Sequence, residues 1–147
     1  MFDTTDLIQI VASFFGTLGF GFLFNIRGKK LIFAAVGGML SWALFLVLGS
    51  VVENEAIRYF IVSLCSTTYA EILARLLKTP ATTFSIITLI PLVPGGALYH
   101  TATFAMSGDA AQFISKLIYT VELSLALSLG IVVITAIFRY VRHFKKV

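Results

Sequence analysis

Few side chains in this sequence can do chemistry, and most of them stand inside long apolar runs. Ser63, Thr67, Glu71 and Arg75 recur every four residues and make a polar stripe on one helical face. Glu122 stands alone within the last apolar run, with Ser115 and Tyr119 on its face and no cation one turn away. A carboxylate inside a membrane costs about 2.5 kcal/mol or more, so it usually faces a partner or a cavity. Glu71 and Glu122 could hold and release a proton in a transport cycle. Equally, Glu71 could be neutralised by Arg75, and Glu122 could be a static fastener between helices.

The second chemical feature is the run Ile90-Pro91-Leu92-Val93-Pro94-Gly95-Gly96. Each proline removes an N–H and crowds the preceding turn. Gly95 and Gly96 add conformational freedom at the same place. Two half-helices meeting at Pro91–Gly96 are expected. In lipid such a break survives only where it is buried in protein or lines a watery cavity, and broken helices near mid-membrane form transporter binding sites. A helix restarting at Gly95 would offer unpaired amides and the positive end of its dipole to an anion. A small carboxylate suits that place, with the hydroxyls of Thr82, Thr83, Ser85 and Thr88 nearby. His100, one turn on, is a minor candidate. His143 belongs to the basic tail.

The elements that must position these groups follow from composition. The 147 residues are 59% hydrophobic and 12% charged, with a mean hydropathy of +0.98. Soluble domains carry about 25% charged residues, so the chain reads as one all-α integral membrane domain over residues 1–147. Spans of about 7–24, 31–52, 57–77, 81–106 (broken) and 113–138 are each long enough for a hydrocarbon core of about 30 Å. Small residues at four-residue spacing (Ala12/Gly16, Ala34/Gly38, Gly37/Ser41) let helices pack closely, and Trp42, set within the second span, should face protein.

With five crossings and the N-terminus outside, Arg27, Lys29, Lys30, Arg75, Lys78, Arg139, Arg142, Lys145 and Lys146 fall inside. Only Arg58 and Lys116 fall outside, with Asp3, Asp6, Glu53, Glu55 and Asp109. This N-out, C-in arrangement follows the positive-inside tendency; a re-entrant fourth segment would break it. Met1 to Asp6 has no basic stretch before the first apolar run, which is expected to stay in the mature chain.

Several classes are excluded. No basic polar surface suits nucleic acid. Cys65 is the only cysteine, so no intrachain disulfide or cysteine metal cluster can form. No nucleophile–base pair or metal-ligand spacing points to an enzyme, and no cofactor is expected.

Three segments carry a family resemblance: Asn25-Ile26-Arg27-Gly28-Lys29-Lys30, Tyr69-Ala70-Glu71-Ile72-Leu73-Ala74-Arg75, and Pro80 followed by Ile90-Pro91-Leu92-Val93-Pro94-Gly95-Gly96. Over essentially its whole length the chain resembles the threonine/serine exporter family in its small-subunit form, which matches the C-terminal half of the fused members. The resemblance implies a larger partner subunit and a place in the bacterial cytoplasmic membrane. It also implies export of small carboxylates: threonine and serine for fused members, dicarboxylates such as succinate for split ones. Pro91, Pro94, Gly95 and Gly96 would form the break, with Thr88, Glu71, Arg75 and Glu122 lining or gating the path. The rival readings are a non-transporting scaffold that stabilises a partner and, more weakly, an oligomeric channel.

Overall fold

The computed structural model describes residues 3–144; Lys145 and Lys146 of the basic tail lie outside them. Six α-helices follow one another: α1 (Thr4–Leu23), α2 (Lys29–Gly49), α3 (Glu55–Leu76), α4 (Ala81–Leu89), α5 (Gly95–Ser107) and α6 (Ala110–Phe144). Their ends are set by local chemistry. Asp3 caps α1, and Asp6 returns the bond to the Asp3 amide at 3.1 Å in a capping box. The Asn54 side chain accepts from the Ile57 amide at 3.1 Å and starts α3. Gly108, at φ 77°, stops α5 in the left-handed conformation.

By length and composition α1, α2 and α6 can each cross a membrane, and the bent pair α4–α5 makes a fourth candidate. The protein is therefore a multi-pass, bilayer-embedded helical bundle. Its outer faces are apolar, as at Ile8, Phe15, Leu125 and Val132. α3, read above as a span, is more polar than the others, and the bundle explains why it can be. It packs against α2, α4 and α6 and buries Ser63, Ser66, Thr67 and Glu71 among them. Ser41 on α2 and Ser66 share a hydrogen bond of 2.6 Å. Polar groups that lipid would reject are thus met by protein.

Close helix approach rests on small residues. A β-carbon on Gly130 of α6 would collide with Ser63 and the Phe60 carbonyl, so α6 touches the α3 backbone there. Likewise Gly38 of α2 leaves room for Thr17 of α1. Trp42 faces protein, donating to Gln9 at 3.2 Å and stacking on Phe45.

Contacts along α3 fix the direction of α6. Tyr119 bonds Glu55, Gly130 meets Ser63, and Arg75 lies over the Phe138 ring at 4.3 Å. The two helices run parallel, so the chain between them must travel back along the bundle. α4 does most of this: Phe84 and Ile87 pack with Ile26, Leu73 and Ala74 at one end, while Leu89 and Leu92 pack with Phe45, Tyr59 and Leu123 toward the other. α5 then turns away and pairs with α6, where Thr101 and Thr120 meet at 3.0 Å.

Candidate functional site

Beyond α4, Ile90–Leu92 form a single 3₁₀ turn, closed by the Val93 amide on the Ile90 carbonyl at 3.1 Å. The axis bends by 61° between Ala81–Leu92 and Gly95–Ser107. Pro91 and Pro94 have no amide with which to continue the ladder, and Pro94 with ψ 60° lies outside helical geometry. The break thus falls within Pro91–Gly96. It lies beside Trp42, Tyr59 and Glu55, the first residue of α3.

The break opens onto a hollow of about 340 Å³. Pro91, Pro94, Gly95, Gly96 and His100 form one wall; Glu55 and Tyr59 of α3, Trp42 and Phe45 of α2, and Lys116 and Tyr119 of α6 form the others. Four of the sequence-derived site residues, and the minor candidate His100, therefore meet in one place. At the start of α5 the Gly95 amide reaches the Val93 carbonyl at 2.6 Å and the Leu98 amide the Pro94 carbonyl at 3.0 Å. The Gly96 and Ala97 amides have no hydrogen-bond partner among the described residues, and no side chain caps them. Tyr119 donates its hydroxyl to Glu55, tying α6 to α3 across the hollow. Lys116 makes no ion pair among the described residues; its Nζ stands 5.9 Å from the Tyr119 ring. The hollow is lined by an ammonium from α6, a carboxylate from α3 and, at the start of α5, two amides free of protein partners. Such a set can hold an anion by charge-assisted hydrogen bonds.

The remaining expected site residues lie elsewhere. Thr88 is fully buried, donates to the Phe84 carbonyl at 2.8 Å and packs against Gly37, outside the lining of the hollow. Glu71 and Arg75 pair at 3.7 Å near the opposite end, where Ala70, Leu73 and Ala74 are buried. Glu122 is exposed on the outside of α6, while its neighbour Leu123 enters the core. It has no partner among the described residues, and Leu123 packing with Tyr59 puts it nearer the hollow's end than the middle of the bundle. These groups do not line one continuous path here. No group of three or more His, Cys, Asp or Glu that could hold a metal ion occurs among the described residues.

Sequence reasoning missed Glu55, Lys116, Tyr59 and Tyr119 as members of this site. Lys116 did carry a signal, being one of two cations at an otherwise acidic end. Glu55 carried none beyond its place among the acidic residues outside, because nothing in the sequence pairs it with a residue 64 positions away.

A family model described as "Threonine/Serine exporter, ThrE" matches residues 9–137. The chain belongs to this family. The match spans all six helices, including the break and every residue of the hollow. The family's proteins are transporters rather than enzymes. Neither a curated protein nor a solved structure matches the chain significantly.

Proposed function

We propose that the chain is a subunit of a secondary exporter that moves small carboxylate-bearing metabolites out across the bacterial cytoplasmic membrane, together with a larger partner subunit. The observation that carries this reading is the hollow at the helix break. Lys116 and the Gly96 and Ala97 amides suit a carboxylate, and Glu55 suits an ammonium. An amino acid such as threonine or serine carries a partner for each charge, whereas a dicarboxylate such as succinate would set a like charge against Glu55. The hollow thus favours amino acids.

The same reading takes α1, α2, α3, α4–α5 and α6 as five crossings of one transmembrane unit, N-terminus outside and C-terminus inside. Parallel α3 and α6 support an odd return through α4–α5, and the basic residues Arg27, Lys29, Lys30, Lys78 and Arg139 sit at helix ends opposite the Glu55 end. Pro91, Pro94, Gly95 and Gly96 shape the substrate site; Glu71 and Arg75 close the far end; Thr88 packs the helix that carries the break.

The test is export from cells expressing both subunits, with threonine and succinate measured in parallel. Glu55→Gln is expected to depress threonine export and spare or raise succinate export. Equal loss of both, or no change in either, refutes the amino-acid assignment. A scaffold role is favoured by one observation, the exposed Glu122 on the outer face of α6, without a partner among the described residues. Glu122→Gln that dissolves the complex without a separable transport defect supports the scaffold; intact assembly with lost export supports transport.

A further inference from the structure

The charged groups of the hollow at the helix break account for only part of its lining. Much of the rest is apolar and aromatic: Trp42, Phe45, Tyr59 and Tyr119, with Leu123 and Pro91. Three of these rings form one continuous wall. Trp42 stacks on Phe45 with centroids 5.3 Å apart, and Tyr59 meets Phe45 in an edge-to-face pair at 4.9 Å. The wall is braced before any ligand arrives: Phe45 and Tyr59 are buried, and the Arg58 guanidinium stands 5.0 Å from the Phe45 centroid. Two ring tips are also engaged inside the protein, the Trp42 N–H with Gln9 at 3.2 Å and the Tyr119 hydroxyl with Glu55. What Trp42 and Tyr119 have left to offer a ligand is ring surface.

We infer that the hollow selects amino acids with an aromatic side chain, phenylalanine being the simplest case, over threonine and serine. The inference rests on the amino-acid reading of the hollow, in which Lys116 and the Gly96 and Ala97 amides take the carboxylate and Glu55 takes the ammonium. Small-molecule sites join apolar and aromatic walls to a few polar groups that fix orientation. Here the zwitterionic head uses the polar groups, and the side chain is left to the rings. Size agrees. An apolar cavity of about 150 Å³ is enough for benzene, so a hollow of about 340 Å³ has room for a ring and its head group. Threonine would leave much of that space to water and the aromatic wall wet. Rings whose centroids lie about 4.5–7 Å apart attract beyond the area they bury, which a methyl and a hydroxyl cannot reproduce. Because the wall is already braced, little ordering opposes the gain.

Trp42 is the only tryptophan in the sequence and lines the hollow, so its fluorescence reports occupancy. The purified full-length chain in detergent is titrated with phenylalanine, threonine and serine, with excitation where phenylalanine does not absorb. A saturable change is expected, with phenylalanine binding about tenfold tighter than threonine or more. Phenylethylamine and phenylpropionate, each lacking one charged group, should bind more weakly than phenylalanine. Phe45→Leu and Tyr59→Leu should each narrow the gap between phenylalanine and threonine, with circular-dichroism melts showing that the variants fold. Equal affinities, or tighter threonine, overturn the ring preference while the export reading stands. So does an unchanged gap in both folded variants. A response that phenylethylamine and phenylpropionate match also overturns it, since the ring would then enter without its head group. No saturable response to any of the three amino acids overturns the amino-acid reading of the hollow, and this inference with it.

Discussion

Lys116→Gln is the perturbation that bears most directly on the hollow. Lys116 makes no ion pair among the described residues, so its removal breaks no internal pair. Its loss should act on the ligand and leave the fold intact. A charge-assisted hydrogen bond contributes about 1.5–3 kcal/mol, and a pair of unit charges 4 Å apart near a protein surface attracts by about 4 kcal/mol before desolvation. The half-open hollow argues for the lower figure. At 1.4 kcal/mol per factor of ten, apparent affinity for a carboxylate should weaken by about tenfold to a hundredfold. Lys116→Arg, which keeps the charge, should recover most of it. The assay is counterflow of labelled threonine in proteoliposomes containing the chain and the proposed partner subunit, at graded internal concentrations. An unchanged half-saturation in Lys116→Gln, with normal assembly, would refute a carboxylate at this cation.

Other consequences follow from packing and polar pairing. Gly130→Ala drives a methyl into Ser63 and the Phe60 carbonyl; overpacking of this kind costs about 1–3 kcal/mol. A lower melting temperature in detergent, only partly restored by adding Ser63→Ala, is expected, and an unchanged melt would contradict the close α3–α6 contact. Tyr119→Phe removes the donor held by Glu55 and should destabilise by about 1.5–3 kcal/mol, read as an earlier denaturation midpoint. Arg75→Gln leaves the Glu71 carboxylate buried and alone. The cost should lie between under about 1 kcal/mol for an exposed pair and about 3–5 for a buried one, since only the glutamate is enclosed. A double-mutant cycle with Glu71→Gln measures the coupling; zero coupling would show the pair to be incidental. Glu122→Leu should leave the melt of the isolated chain unchanged, because the carboxylate is exposed and has no partner among the described residues.

Composition and periodicity alone determined that this is a helical membrane protein, because burying or hydrating so many apolar residues any other way is too costly. The proline and glycine block likewise determined that the fourth segment must break, since a missing amide is a local fact that no packing repairs. The polar stripe of α3 was legible as a pattern, yet only the bundle showed it enclosed by α2, α4 and α6. The company of these groups was decided by tertiary contact. Which residues stand beside the break depended on α4 packing against Tyr59 and Leu123. Lys116 and Glu55 became neighbours of the free amides only because Gly130 lets α6 lie along α3. Glu122, by the same rotation of α6, turned outward instead of toward them. Such pairings depend on helix direction and azimuth, which side-chain spacing within one segment does not encode.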